Sequence, residues 1–173
     1  MKSESIILVG MAGVGKSTIG LSLSKALGFN FLDLDDYILR KDGRTVQRVI
    51  DDEGEEALLR LEKQRMYEID LTHKVVAPGG SIIYHSDLME YLRKRSTIIY
   101  LDDSFENIEG RLTNVRTRGI VGLGNKTLRQ IYNERRSLYS KYADITPKCQ
   151  NKSQYQLSKE ILKHYLDLKN SPI

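Results

Sequence analysis

The 173-residue chain holds a single cysteine, Cys149, so an internal disulfide is excluded and a reducing, cytoplasmic setting is expected. No apolar run approaches the length of a membrane span, and no membrane partner is expected. Met1-Lys2-Ser3-Glu4 leads straight into the first apolar run, so no secretory signal is predicted. The three histidines, His73, His85 and His164, share no ligand spacing and suggest no zinc site. No Ser-His-Asp arrangement can be argued, and repeats, low-complexity runs and linkers are all missing. Residues 1–173 therefore read as one domain. Strong charge of one sign is missing too. The net charge is +4, with basic residues interleaved among acidic ones, which fits an anionic small-molecule substrate better than nucleic acid. Tyr132, Tyr139 and Tyr142 lie among cations, but their helical spacing favours packing over base stacking.

What the chain does have is Gly10-Met11-Ala12-Gly13-Val14-Gly15-Lys16-Ser17-Thr18, which reads G-x-x-x-x-G-K-[ST], a phosphate-binding loop. Its glycines let backbone N–H groups approach phosphate oxygens. Lys16 offers a mobile charge to the β- and γ-phosphates, and Ser17 a hydroxyl to Mg²⁺. The context agrees. Ile6-Ile7-Leu8-Val9 reads as a buried parallel strand, and Ile19, Leu23, Ala26 and Leu27 recur at helical spacing before the stop at Gly28.

Phe29-Asn30-Phe31-Leu32 reads as a second strand, ending in Asp33-Leu34-Asp35-Asp36. Ligands of open parallel sheets bind beyond the carboxyl ends of strands, so Asp33 and Asp35 are candidates for Mg²⁺ and a substrate hydroxyl. Asp36 is assigned to capping the next helix, Tyr37 to Lys41. Helices are expected from Thr45 and from Glu55 to Leu71, where Glu62 and Arg65 are spaced to pair across one turn. Lys74-Val75-Val76-Ala77 forms a third strand closed by Pro78-Gly79-Gly80-Ser81, and Thr97 to Leu101 a fourth. Residues 113–124, with Arg116, Arg118 and three glycines, read either as a mobile lid bringing an arginine to the transferring phosphate or as a plain surface loop. A long helix from Thr127 to Tyr142 carries Arg135 and Arg136; Ala143 to Thr146 suggests a short final strand, and an amphipathic helix closes the chain. The order implies an α/β sheet covered by helices on both faces.

In these residues the chain resembles the shikimate kinase family, within the nucleoside-monophosphate-kinase-like group of P-loop proteins. The resemblance rests on Gly10 to Thr18, Phe31-Leu32-Asp33-Leu34-Asp35, Gly54-Glu55 with Arg60 and Glu62, and Val75 to Gly80. It continues in Arg111 with Arg118, and in Arg135-Arg136-Ser137-Leu138-Tyr139. It implies a single-domain P-loop kinase fold with a five-stranded parallel sheet of order 2-3-1-4-5, a mobile lid, and phosphoryl transfer from MgATP to the 3-hydroxyl of shikimate in aromatic amino-acid biosynthesis. By position, Gly13, Val14, Gly15, Lys16, Ser17, Thr18 and Arg111 are implied nucleotide contacts, with Arg111 beside the adenine. Ser17 and Asp33 are the implied Mg²⁺ residues, and Lys16, Asp35 and Arg118 the catalytic set. Asp35, Gly79, Gly80 and Arg135 are implied substrate contacts, with Arg135 on the substrate carboxylate. The implied partners are ATP and a small hydroxylated substrate, taken by a monomer. Three departures stand out: Leu58-Leu59 where the family has Phe-Arg, which makes Leu59 a substrate-site position; Ser81 where it has a third glycine; and Gly119 after Arg118 where it has proline. The alternatives are a homologue acting on another small hydroxylated metabolite, or a nucleotide-binding regulatory protein.

Overall fold

The computed structural model describes residues 4–112 and 119–170. Strand β1, Ser5–Val9, is wholly buried and runs into the glycine loop, after which come α1, Lys16–Leu27, and β2, Asn30–Asp33. Three helices follow: α2, Leu34–Asp42, α3, Val46–Glu53, and α4, Glu55–Glu68. Strand β3, Lys74–Ala77, leads through a 3-10 turn, Gly80–Tyr84, to α5, Ser86–Arg95, and β4, Thr97–Tyr100. The remaining helices are α6, Phe105–Arg111, α7, Leu128–Tyr142, and α8, Gln154–Asn170. Among the described residues, no helix is long and apolar enough to cross a membrane.

The strands are all parallel and ordered β2-β3-β1-β4, with Ile6 opposite Val75 and Thr97. Side chains of a strand alternate between faces, and the core divides accordingly. Ile7, Val9, Val76, Ile98 and Tyr100 meet residues from α2, α4, α5, α6 and α7 in one cluster. Ile6, Leu8, Val75, Ile99 and Leu101 meet α1 and α8 in the other. Both faces are thus dry, as the apolar strand runs require. Gly20 lets α1 settle onto the sheet, because a side chain there would collide with the Phe31 ring.

The expected fifth strand is reduced. Residues 143–149 lie beside β4 through two isolated parallel bridges, Ile99 with Ile145 and Asp102 with Lys148. Ile145 donates to the Ile98 carbonyl at 3.3 Å, Tyr100 to that of Ile145 at 2.9 Å, Asp102 to that of Pro147 at 3.4 Å, and Cys149 to that of Asp102 at 2.9 Å. The rung missing from this series runs from residue 147 to the Tyr100 carbonyl. Pro147 has no N–H to supply it. The segment occupies the place of the fifth strand without forming a continuous ladder.

Candidate active site

The carboxyl ends of β1, β2 and β3 open into a cavity of about 560 Å³. The glycine loop forms one wall through Ala12, Gly13, Gly15, Lys16, Ser17 and Thr18. Gly15 precedes α1 at φ 106°, and no side chain caps the helix, so the first-turn N–H groups remain available to an anion. Val14 faces away into the core between the sheet and α1. Lys16 Nζ folds back over the loop, donating to the carbonyls of Gly10 at 2.9 Å and Met11 at 3.1 Å. Burial, with Arg135 adding to it, brings the ammonium down to about 8, while Asp35 and Asp33 oppose the shift.

Opposite the loop, Ser17 Oγ donates to Asp33 Oδ2 at 2.6 Å. Asp33 also caps α2, its Oδ1 accepting from the Asp35 N–H at 3.0 Å. This corrects the assignment of capping to Asp36: α2 begins three residues earlier than expected, and Asp36 falls inside its first turn. Asp35 lines the cavity. Burial and the neighbouring Asp33 push its carboxyl up to about 6 against the pull of Lys16.

The far wall is built by the turn after β3 and by α4 and α7. A Thr127–Gln130 capping box sets the start of α7. That helix delivers Arg135 to the cavity with its side chain almost fully enclosed. Arg135 Nε donates to the Tyr84 hydroxyl at 3.2 Å and Nη2 to the Val121 carbonyl at 2.8 Å. The Tyr139 hydroxyl donates to the Gly80 carbonyl at 2.7 Å. A side chain at Gly79 would strike Glu62 Oε1, and a Cβ at Gly80 would lie 2.9 Å from Arg135 Nη1. A side chain at either position would displace the Glu62 carboxylate or the Arg135 guanidinium from its present place.

Glu62 is a site residue that the sequence reading placed elsewhere. The expected Glu62–Arg65 pair does not form: Glu62 turns inward and accepts from Ser81 Oγ at 2.6 Å. Arg65 instead grips Asp42 and Glu68. Burial, reinforced by Asp35, pushes the Glu62 carboxyl up to about 7 although Ser81, Arg135 and Lys16 favour its charge. A signal was available, since Leu58, Glu62 and Met66 recur every four residues and all three are buried.

Arg111 reaches the cavity rim from α6, held by a 2.9 Å bond from Nη1 to Asp103 Oδ2. Leu59 does not line the cavity; it packs half-buried against the cluster of Val49, Ala57, Leu58 and Val121. Arg118 and the 113–118 part of the expected lid lie outside the described residues. Residues 119–122 are held by their N–H groups, Gly119 donating to Gln47 Oε1 at 2.9 Å and Gly122 to Glu55 Oε1 at 2.8 Å. Burial pushes the Cys149 thiol up to about 12, away from thiolate chemistry.

Among the described residues, no three His, Cys, Asp or Glu side chains gather as a metal cage. Mg²⁺ suits this donor set nonetheless. It is held by one or two protein oxygens together with phosphate oxygens and waters, and Ser17 and Asp33 offer an adjacent hydroxyl and carboxylate beside the phosphate loop.

A family model described as shikimate kinase matches residues 12–166. The shikimate kinase of Persephonella marina is 34% identical over 161 residues, covering 92% of this chain and 97% of that one. The solved shikimate kinase from Acinetobacter baumannii, in complex with shikimate, superposes with a TM-score of 0.89 at 30% identity, covering 99% of this chain and 97% of that one. The enzyme from Aquifex aeolicus gives 0.80 at 26% identity, with 96% and 99% covered. The chain belongs to the shikimate kinase family of ATP-dependent kinases.

Proposed function

We propose that this chain transfers the terminal phosphoryl group of ATP to the 3-hydroxyl of shikimate, giving ADP and shikimate 3-phosphate for aromatic amino-acid biosynthesis. One observation carries the reading. The phosphate loop, Asp35 and Arg135 line a single cavity, with the anion-binding wall facing a wall that suits a hydroxylated carboxylic acid. The main-chain N–H groups of residues 13–18 hold the phosphates, and Lys16 exchanges its two carbonyl partners for phosphate oxygens. Ser17 and Asp33 hold Mg²⁺, which neutralises charge on the phosphates. Asp35 takes the hydrogen bond of the acceptor hydroxyl and receives its proton as the new ester bond forms. Arg135 holds the acceptor carboxylate, backed by Tyr84 and Val121. Arg111 lies against the base, and Arg118 meets the transferring phosphoryl group. Residues 1–173 work as one domain, a cytoplasmic monomer.

Two features favour a second acceptor: Leu59 outside the cavity lining, and Ser81 bonded to a buried carboxylate inside it. The deciding experiment is ATP turnover by purified protein with a panel of shikimate, sugar acids, polyols and hydroxy-amino acids. Shikimate is expected to give the highest kcat/KM. Preference for another acceptor would replace it, and turnover indifferent to every acceptor would overturn the kinase reading.

A further inference from the structure

The acceptor end of the cavity holds a buried carboxylate, Glu62, that has no ion-pair partner of its own among the described residues. Glu62 is 2% exposed, and among the described residues the hydrogen bond it accepts is the one from Ser81, on Oε2. Its other oxygen, Oε1, abuts Gly79, while Arg135 Nη1 abuts Gly80. The carboxylate and the guanidinium therefore stand over consecutive residues of one turn. Among the described residues, the other charges facing Glu62 are Lys16 from the glycine loop and Asp35 from α2; Tyr139 on α7 is neutral.

A carboxylate-bearing acceptor docked on Arg135 takes up the cation that offsets Glu62 and adds a negative charge beside it. Two neighbouring carboxylates in a dry site do not both stay ionised. The acceptor's carboxylate keeps its charge because a guanidinium holds it. Glu62 has only a hydroxyl, so Glu62 is the group that yields.

We propose that Glu62 is a specificity-determining residue that takes a proton from solvent onto Oε1 when a carboxylate-bearing acceptor binds against Arg135, with Ser81 setting how readily it does so. The protonated Oε1 turns from a repelling charge into a hydrogen-bond donor facing the acceptor. Ser81 supports the ionised form, so it works against uptake and sets the pH at which binding weakens. The raised proton affinity of the unliganded Glu62 agrees with this direction. The proposal rests on shikimate, or another hydroxy acid, being the acceptor.

The test is calorimetric titration of shikimate into the wild-type protein in two buffers of different ionisation enthalpy, combined with KM and kcat from about pH 6 to about pH 9. Wild type should show buffer-dependent heats equivalent to proton uptake. Its shikimate KM should rise by up to about tenfold per pH unit above neutrality. Glu62→Gln, which keeps the shape and can still accept from Ser81, should lose the uptake and flatten KM to within about twofold over that range. Ser81→Ala should move the rise in KM to higher pH. Equal heats in both buffers for a wild type that binds shikimate would overturn the proposal, as would a Glu62→Gln variant with the wild-type slope. Absence of shikimate binding and phosphorylation at every pH would instead overturn the acceptor assignment, and this inference with it.

Discussion

Ser17 Oγ donates to Asp33 Oδ2 at 2.6 Å while the other oxygen of that carboxylate, Oδ1, accepts the Asp35 N–H at 3.0 Å. One side chain thus starts α2 and faces the phosphate loop. The two roles separate by substitution. Asp33→Ala should lose the cap, at about 0.5–2 kcal/mol, together with activity. Asp33→Asn keeps an oxygen for the cap, so stability should hold while turnover falls. Urea unfolding and ATP turnover of both variants check this, and equal destabilisation by the two would contradict the capping role.

Lys16 rests on two main-chain carbonyls rather than on a carboxylate. Lys16→Ala should therefore abolish measurable phosphoryl transfer, because positioning and charge neutralisation supply nearly all of the rate in this chemistry. It removes no core packing, so the thermal midpoint should stay within a few degrees of wild type. Near-wild-type turnover by the variant would contradict the role of the loop.

Arg65 meets Asp42 through two parallel bonds, 2.9 Å from Nε and 2.5 Å from Nη2. This fork fastens α4 to the end of α2, away from the cavity. Arg65→Ala should cost about 1–2 kcal/mol, more than a typical exposed pair, and leave kcat unchanged. Denaturant midpoints at constant slope, alongside kcat, measure both halves of the prediction.

The same helix shows what could be read in the sequence. The phosphate loop was legible because its chemistry is contiguous: three glycines, a lysine and a serine between a buried strand and a helix. Asp33, Asp35, Gly79 and Gly80 were legible because strand ends face ligands in this architecture. Glu62 was harder. Pairing with Arg65 satisfies the local spacing rule, but α4 packs its Leu58–Glu62–Met66 stripe inward, and tertiary burial overrides the local pair. The Asp103 partner of Arg111 was illegible for another reason, since the pair spans the whole of α6, from the loop before it to its last residue, beyond the three- or four-residue spacing of neighbours on a helix face. The fifth strand failed at Pro147, whose missing donor was visible in the sequence but whose register against β4 was not.

Glu62 also sets a pH dependence of stability. Its carboxyl is raised from 4.5 to about 7 on folding, so the folded chain binds this proton more tightly than the unfolded chain. The resulting stabilisation is full below the unfolded value and is lost as pH rises through the folded one. Glu62→Gln should therefore be more stable than wild type at about pH 8, by on the order of a few kcal/mol, and should show no such gain at about pH 4. Denaturant unfolding at the two pH values measures it, and an equal offset at both would contradict the shift.

Phosphorus NMR of the product formed from MgATP and shikimate by the purified protein reads the transfer and its position directly. One phosphate ester is expected, on the 3-hydroxyl, formed in step with ADP and missing for Lys16→Ala. Release of free phosphate without an ester, or an ester on a different hydroxyl, would contradict it.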